Sequence, residues 1–201
     1  MAGTIKVEVF KKKDAEEFSA CLADPESRLD AGGAAAMCAA LAASLLSRAA
    51  RITVANSSTD DKLEYILHNS EVLYKYMVHL IDEDVRCRGP LRKAQQMGDP
   101  RRIEAGSQSA VSICSEIVNM QRNTLDLLEE LSEICTPEAK PYVLESAELS
   151  MGALRTAMRY ILGMSANSTD ETYRFVSRRE NEITLEQVQP VYDRILARLA
   201  V

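Results

Sequence analysis

The stretch Asp30-Ala31-Gly32-Gly33-Ala34-Ala35-Ala36-Met37-Cys38-Ala39-Ala40-Leu41-Ala42-Ala43 decides how this chain is read. Its alanines predict a helix from Ala34 to about Asn56 that packs closely on several sides, because Ala carries no bulk and loses no side-chain freedom. The paired glycines open that helix. They let the backbone turn tightly and approach a neighbour or a ligand, with free N–H groups pointing outward. Two readings stand side by side: a tight helix entry at a dimer contact, which composition alone favours, and a turn that faces a ligand.

Outward from this stretch the pattern stays helical. Upstream, Asp24 to Gly33 reads as a loop by its Pro and Gly content. A short amphipathic helix precedes it, from Asp14 to about Ala23. Thr4 to Phe10 alternate Ile5, Val7 and Val9 against Lys6 and Glu8, a period of two without a partner strand. Residues 1–13 are therefore expected to be an extended arm. Downstream, a helix is expected from about Asp60 to Arg86, then a variable connection bracketed by Gly89-Pro90 and Gly98-Asp99-Pro100. A long helix follows over roughly Arg101 to Ile134. Another starts at Thr136-Pro137-Glu138 or at Pro141 and runs to about Met164. Ser168-Thr169-Asp170-Glu171 caps a short helix to about Glu180. Thr184 caps the last, in which Pro190 is expected to kink or restart the turn. The expectation is an all-α, single-domain bundle of about six helices over residues 1–201.

Composition supports this and removes several functions. Aromatics are scarce, with 3 Phe, 7 Tyr and no Trp, while Ala, Leu and Met are plentiful. A net charge of −6 argues against a nucleic-acid partner, which requires a concentrated basic surface. The five cysteines form an odd, widely spaced set without a C-x-x-C pair, the pattern of reduced thiols in a cytoplasm. Met1-Ala2-Gly3-Thr4 lacks a charged leader, and Ala34 to Leu46 is too short to span a bilayer. A cytoplasmic protein without membrane association is expected. His68 and His79 lie eleven apart, which is no zinc spacing, so no metal is expected. G-x-S-x-G and P-loop motifs are absent, and acyl and nucleotide chemistry lack support.

Polar residues on apolar faces narrow the search for a site. On the Asp60–Arg86 helix, Leu63, Ile66, Leu67, Ser70, Leu73, Met77 and Ile81 form one stripe, and Asp84 continues it. A carboxylate on an apolar face must be paired, protonated or turned to a cavity, unless the helix frays there and the group is wet. Asp82 lies at the stripe's edge, placed to pair with Arg86 at i+4. Gln121 and Thr124 fall on the buried side of the long helix, where Gln121 either serves a ligand or cross-links helices. Glu148 and Arg155 flank the stripe of the next helix, in the position of an ion pair.

The segment Ala31-Gly32-Gly33-Ala34, then Ala36 to Ala43 and Ile52-Thr53, resembles the Pro-Gly-Gly-Gly-Ser helix start of the formiminotetrahydrofolate cyclodeaminase/methenyltetrahydrofolate cyclohydrolase family. Leu80-Ile81-Asp82-Glu83-Asp84 is similar to that family's Leu-Ile/Val-Asp-x-Asp segment, and Met151-Gly152 to its following helix. The resemblance implies an all-α, intertwined homodimer acting on tetrahydrofolate derivatives as substrates, with no separate cofactor. It implies Asp84 and Asp82 as catalytic acids, and Gly32 and Gly33 beside the ligand. Gln121, Arg155 and Arg159 are expected to complete substrate binding, the arginines toward an anionic part such as a folate polyglutamate tail. The alternative is a homologue that has lost turnover and acts in binding or assembly. Departures are concrete: a Gly and the Ser hydroxyl are lost at Ala31 to Ala35, the family's Ser-Asp pair falls at Lys140-Pro141, and its two Asn fall at Arg159 and Gly163. A Pro of the family's middle helix is also missing.

Overall fold

The computed structural model describes residues 8–56, 61–166 and 168–199. A 3-10 turn at Phe10–Lys12 precedes six α-helices: α1 (Ala15–Ala23), α2 (Ala31–Asn56), α3 (Asp61–Met97), α4 (Pro100–Ile134), α5 (Lys140–Ser165) and α6 (Glu171–Leu199). Among the described residues there is no strand. The alternating segment Thr4 to Phe10 falls mostly outside the described residues.

α2 is the central element, packed against α3, α5 and α4. Its alanines explain this. Ala35, Ala36, Ala39, Ala40, Ala42, Ala43, Ala49 and Ala50 are all buried, and such short side chains let helix axes approach to the lower end of the usual 8–10 Å. Bulk comes from the neighbours, through Ile66, Met77, Leu80 and Ile81 of α3, Ile117, Leu125, Leu128 and Leu131 of α4, and Met151 and Leu154 of α5. Side chains also cross-link the backbone: Ser146 Oγ donates to the Ala42 carbonyl at 2.7 Å, and Cys38 Sγ approaches the Leu149 carbonyl at 3.5 Å. These pairs run in opposite directions along the two helices, so α2 and α5 are antiparallel. By length and composition α2 is able to cross a membrane, unlike the shorter run expected, yet 61% of its most apolar window is buried in the bundle.

Three boundaries differ from expectation. α2 begins at Ala31, so both glycines lie inside its first turn rather than in a loop. α3 continues through Gly89-Pro90 to Met97. The missing Pro90 donor is outweighed by burial of Leu91 and Ala94 beyond it, and Gly106 of α4 lets the helices touch: a Cβ there would sit 2.8 Å from Leu91 Cα. α6 is one helix, not two. Thr184 is buried within it rather than capping a new start, because Val188, Tyr192, Ile195 and Leu199 carry one buried stripe across the proline. Asp99 caps α4, accepting from Arg101 and Arg102 N–H at 3.1 and 3.3 Å, after Gly98 turns the chain at φ 64°.

Asp82 pins the N-terminal segment to α3. Its Oδ1 accepts from Phe10 N–H at 2.8 Å and Lys11 N–H at 3.3 Å, while Lys11 Nζ lies 3.7 Å from Oδ2. Phe10 is buried behind it. Charge-assisted bonds of this kind contribute roughly 1.5–3 kcal/mol. Asp82→Ala is expected to lower unfolding free energy by about that amount in urea titrations, and to raise hydrogen exchange at Phe10 and Lys11 above that of the helices.

Candidate functional site

The register of the bundle brings the first turn of α2 against the middle of α3. Gly32 and Gly33 are buried, and the space a Cβ at Gly32 would take is filled by the Asp84 carboxylate, with Arg88 Nη2 at 2.7 Å. Only glycine admits this approach. At Gly33 a Cβ would meet Leu29 Cδ1 at 2.5 Å, a flexible tip rather than a charged group.

Asp84 has no exposure and Arg88, one turn later, has 3%. Arg88 Nε donates to Asp84 Oδ1 at 3.1 Å, and its Nη1 reaches Oδ2 of Asp30, the residue immediately before α2. The guanidinium lies over the Tyr160 ring of α5, 4.2 Å from its centroid. Asp30, Asp84, Arg88 and Tyr160 therefore join the start of α2 to α3 and α5. Two atoms are left over: Asp84 Oδ2 and Arg88 Nη2 are buried without a hydrogen-bond partner. Each of these desolvated atoms forgoes on the order of 1–3 kcal/mol.

Burial pushes the Asp84 carboxyl above the ordinary carboxylate range, and Arg88 and the Gly33 backbone amide offset that only in part. Arg88, between two carboxylates, stays charged. Burial also lifts the Tyr160 hydroxyl and the Cys114 thiol to about 12, so both are neutral here. Asp84 therefore holds its proton more tightly than an ordinary carboxyl does, the direction that acid–base chemistry requires.

The other expected site residues lie elsewhere. Asp82 does not pair with Arg86, which instead meets Glu83 at 3.1 Å, and its carboxylate is held by the Phe10 and Lys11 amides. Gln121 is buried in α4 with neither amide atom partnered, so it makes no helix cross-link. It lies seven residues, about 10 Å along the helix, from Cys114, which feels the charges of Asp84 and Arg88. Glu148 and Arg155 are not an ion pair: Glu148 accepts from Tyr192 Oη at 2.5 Å, and Arg155 donates to Gln189 at 2.9 Å. Arg155 and Arg159 line a cleft between α5 and α6, not the glycine turn. Lys140 and Pro141 open α5, twenty residues or about 30 Å of helix from Tyr160.

Arg88, Asp30 and Tyr160 escaped sequence reasoning. Arg88 had a signal, since it continues the stripe of Ile81 and Asp84 at i+4, but the helix was expected to end before it. Tyr160 had none, because an aromatic on a helix flank shows no partner in one dimension.

The arrangement is that of an all-helical protein whose site is a buried acid at a glycine-opened helix start. The model of the formiminotransferase-cyclodeaminase family matches residues 14–182, and the chain belongs to that family. The fold is similar to the crystal structure of formiminotetrahydrofolate cyclodeaminase from Thermotoga maritima, with a TM-score of 0.87 at 19% identity, covering 94% of this chain and 96% of that one. No curated protein sequence matches the chain significantly.

Gly32→Ala is expected to destabilise the protein by about 1–3 kcal/mol, because its methyl displaces the Asp84–Arg88 pair. Gly152 is exposed with open space around its Cβ position. Gly152→Ala is therefore expected to stabilise by about 0.5–1 kcal/mol through helix propensity alone. Thermal melts of the two variants check the contrast.

Proposed function

We propose that the protein is a folate one-carbon enzyme, a methenyltetrahydrofolate cyclohydrolase or a formiminotetrahydrofolate cyclodeaminase, with Asp84 as its acid–base group. The observation that carries this reading is Asp84 itself: a carboxyl raised by burial, against the first turn of α2, with one oxygen unpartnered. Family membership supports the substrate class.

The chemistry suits such a group. In cyclohydrolysis, water adds to the cationic methenyl carbon, loses a proton to a base, and one ring C–N bond breaks to leave a formyl group. In cyclodeamination, a folate amine attacks the formimino carbon and ammonia leaves after taking a proton. A carboxylate beside the carbon stabilises the cation and accepts the proton from water; its protonated form supplies the proton to ammonia. Burial shifts its balance toward the acid form relative to an ordinary carboxyl. Arg88 orients Asp84 through Nε, and Gly32 permits the close approach of α2 that holds the pair in place. Gln121, also unpartnered, is assigned to the same ligand, and the working unit is a homodimer. Arg155 and Arg159 lie on another face of α5 and are not assigned to the reacting end.

Loss of methenyltetrahydrofolate absorbance measures the first reaction, and ammonia release the second. Asp84→Asn is expected to lower the active rate by roughly 10²–10⁴-fold while folate still raises the melting temperature. Activity is expected to rise with pH through the elevated Asp84 pKa in the hydrolase, where the base form works, and to fall through it in the deaminase, where the acid form works. A protein that neither turns over a folate nor gains melting temperature from one refutes the proposal. Folate binding without turnover supports the homologue that has lost activity.

A further inference from the structure

The half-open cleft between α5 and α6 has a volume of about 1060 Å³, near the upper end for a small-molecule site. Its charge is unusual for a protein of net −6. Arg155 and Arg159 enter from α5, and Arg174 and Arg178 from α6. Each helix thus presents two arginines at i,i+4, an arrangement that costs a few tenths of a kcal/mol per pair through repulsion unless an anion lies between them.

Of the four, Arg174 alone has a carboxylate partner among the described residues. Arg155 donates to the neutral Gln189 amide at 2.9 Å. Arg174 holds the Ser168 carbonyl at 2.5 Å, with Glu171 at 3.5 Å. Arg159 and Arg178 have no acceptor among the described residues. Glu171 and Glu182 also line the cleft, but Glu182 is engaged by Arg179, outside it, at 3.1 Å. Between the arginines the surface is apolar: Met158 and Leu162 from α5 face Phe175 and Leu185 from α6. Phe175 is 69% exposed, a large aromatic surface in water beside free guanidinium groups.

This cleft is separate from the Asp84 cluster. At about 100° per residue, Arg159, Arg155, Met158 and Leu162 lie roughly 100–160° around α5 from Tyr160, which faces Arg88. We propose that the α5/α6 cleft is a second ligand site, for an amphipathic anion: a carboxylate, sulfonate or phosphate head on an apolar body. Arg159 and Arg178 bind the head, because a guanidinium matches planar and tetrahedral oxyanions with paired donors. Leu162 and Phe175 bind the body. The inference does not rest on the folate reading, and its readout is independent of turnover.

Anilinonaphthalene sulfonate, an aryl anion whose fluorescence rises out of water, is the probe for the full native chain. One saturable site is expected, with octanoate displacing the probe and octanol failing to do so. Arg159→Ala with Arg178→Ala is expected to weaken the probe at least tenfold, and Arg178→Glu alone to do the same, with circular dichroism unchanged. All these positions are exposed, so the fold tolerates them. Absence of binding, equal displacement by octanol, or undiminished binding in both arginine variants overturns the proposal. Displacement of the probe by a tetrahydrofolate monoglutamate also overturns it, by making the cleft part of the folate site.

Discussion

The close approach of Gly32 to Asp84 and Arg88 is the constraint on which the rest of the structure depends. A buried carboxylate is costly, and it survives here because a guanidinium one helical turn away neutralises it and the start of α2 presents N–H dipoles to it. That arrangement needs α2 and α3 closer than any side chain on residue 32 permits. The alanine face of α2 supplies the closeness along the remaining length. The chemistry at one end of the helix and the packing along it are the same requirement, met by small residues.

The consequence is a site that is sealed rather than open. Asp84 has no exposure, and two large clefts among the described residues lie along α6 instead. Asp84 is covered by Arg88 and by the start of α2, and Arg88 also holds Asp30, which lies half exposed at the rim. Arg88 therefore has two functions in one position. It keeps Asp84 from becoming an unpaired charge in the absence of a ligand, and it leaves Nη2 free for one.

Carboxylates two residues apart serve unrelated ends. Asp82 and Asp84 project about 160° apart on α3, so one reaches the N-terminal segment and the other the glycine turn. Asp82 receives two backbone donors and holds chain. Asp84 keeps an oxygen to spare. Their motif joins them in one dimension only; what each touches separates them.

The helical class, the stripes, the placement of Asp84 on a buried face and the importance of Gly32-Gly33 were legible in one dimension, because periodicity and backbone freedom are local properties. Helix ends at Gly89-Pro90 and Thr184 were not, since local propensity there is overruled by burial of Leu91, Ala94, Val188 and Tyr192 against other helices. Nor were the partners of Asp82, Glu148 and Arg155, because any of several oppositely charged or hydrogen-bonding groups satisfies a flank residue until the folded register selects one. Sequence by itself determined which residues are too polar for where they must lie. Only the tertiary structure decided what meets them there, because long-range pairing is set by how the helices pack and not by their spacing along the chain.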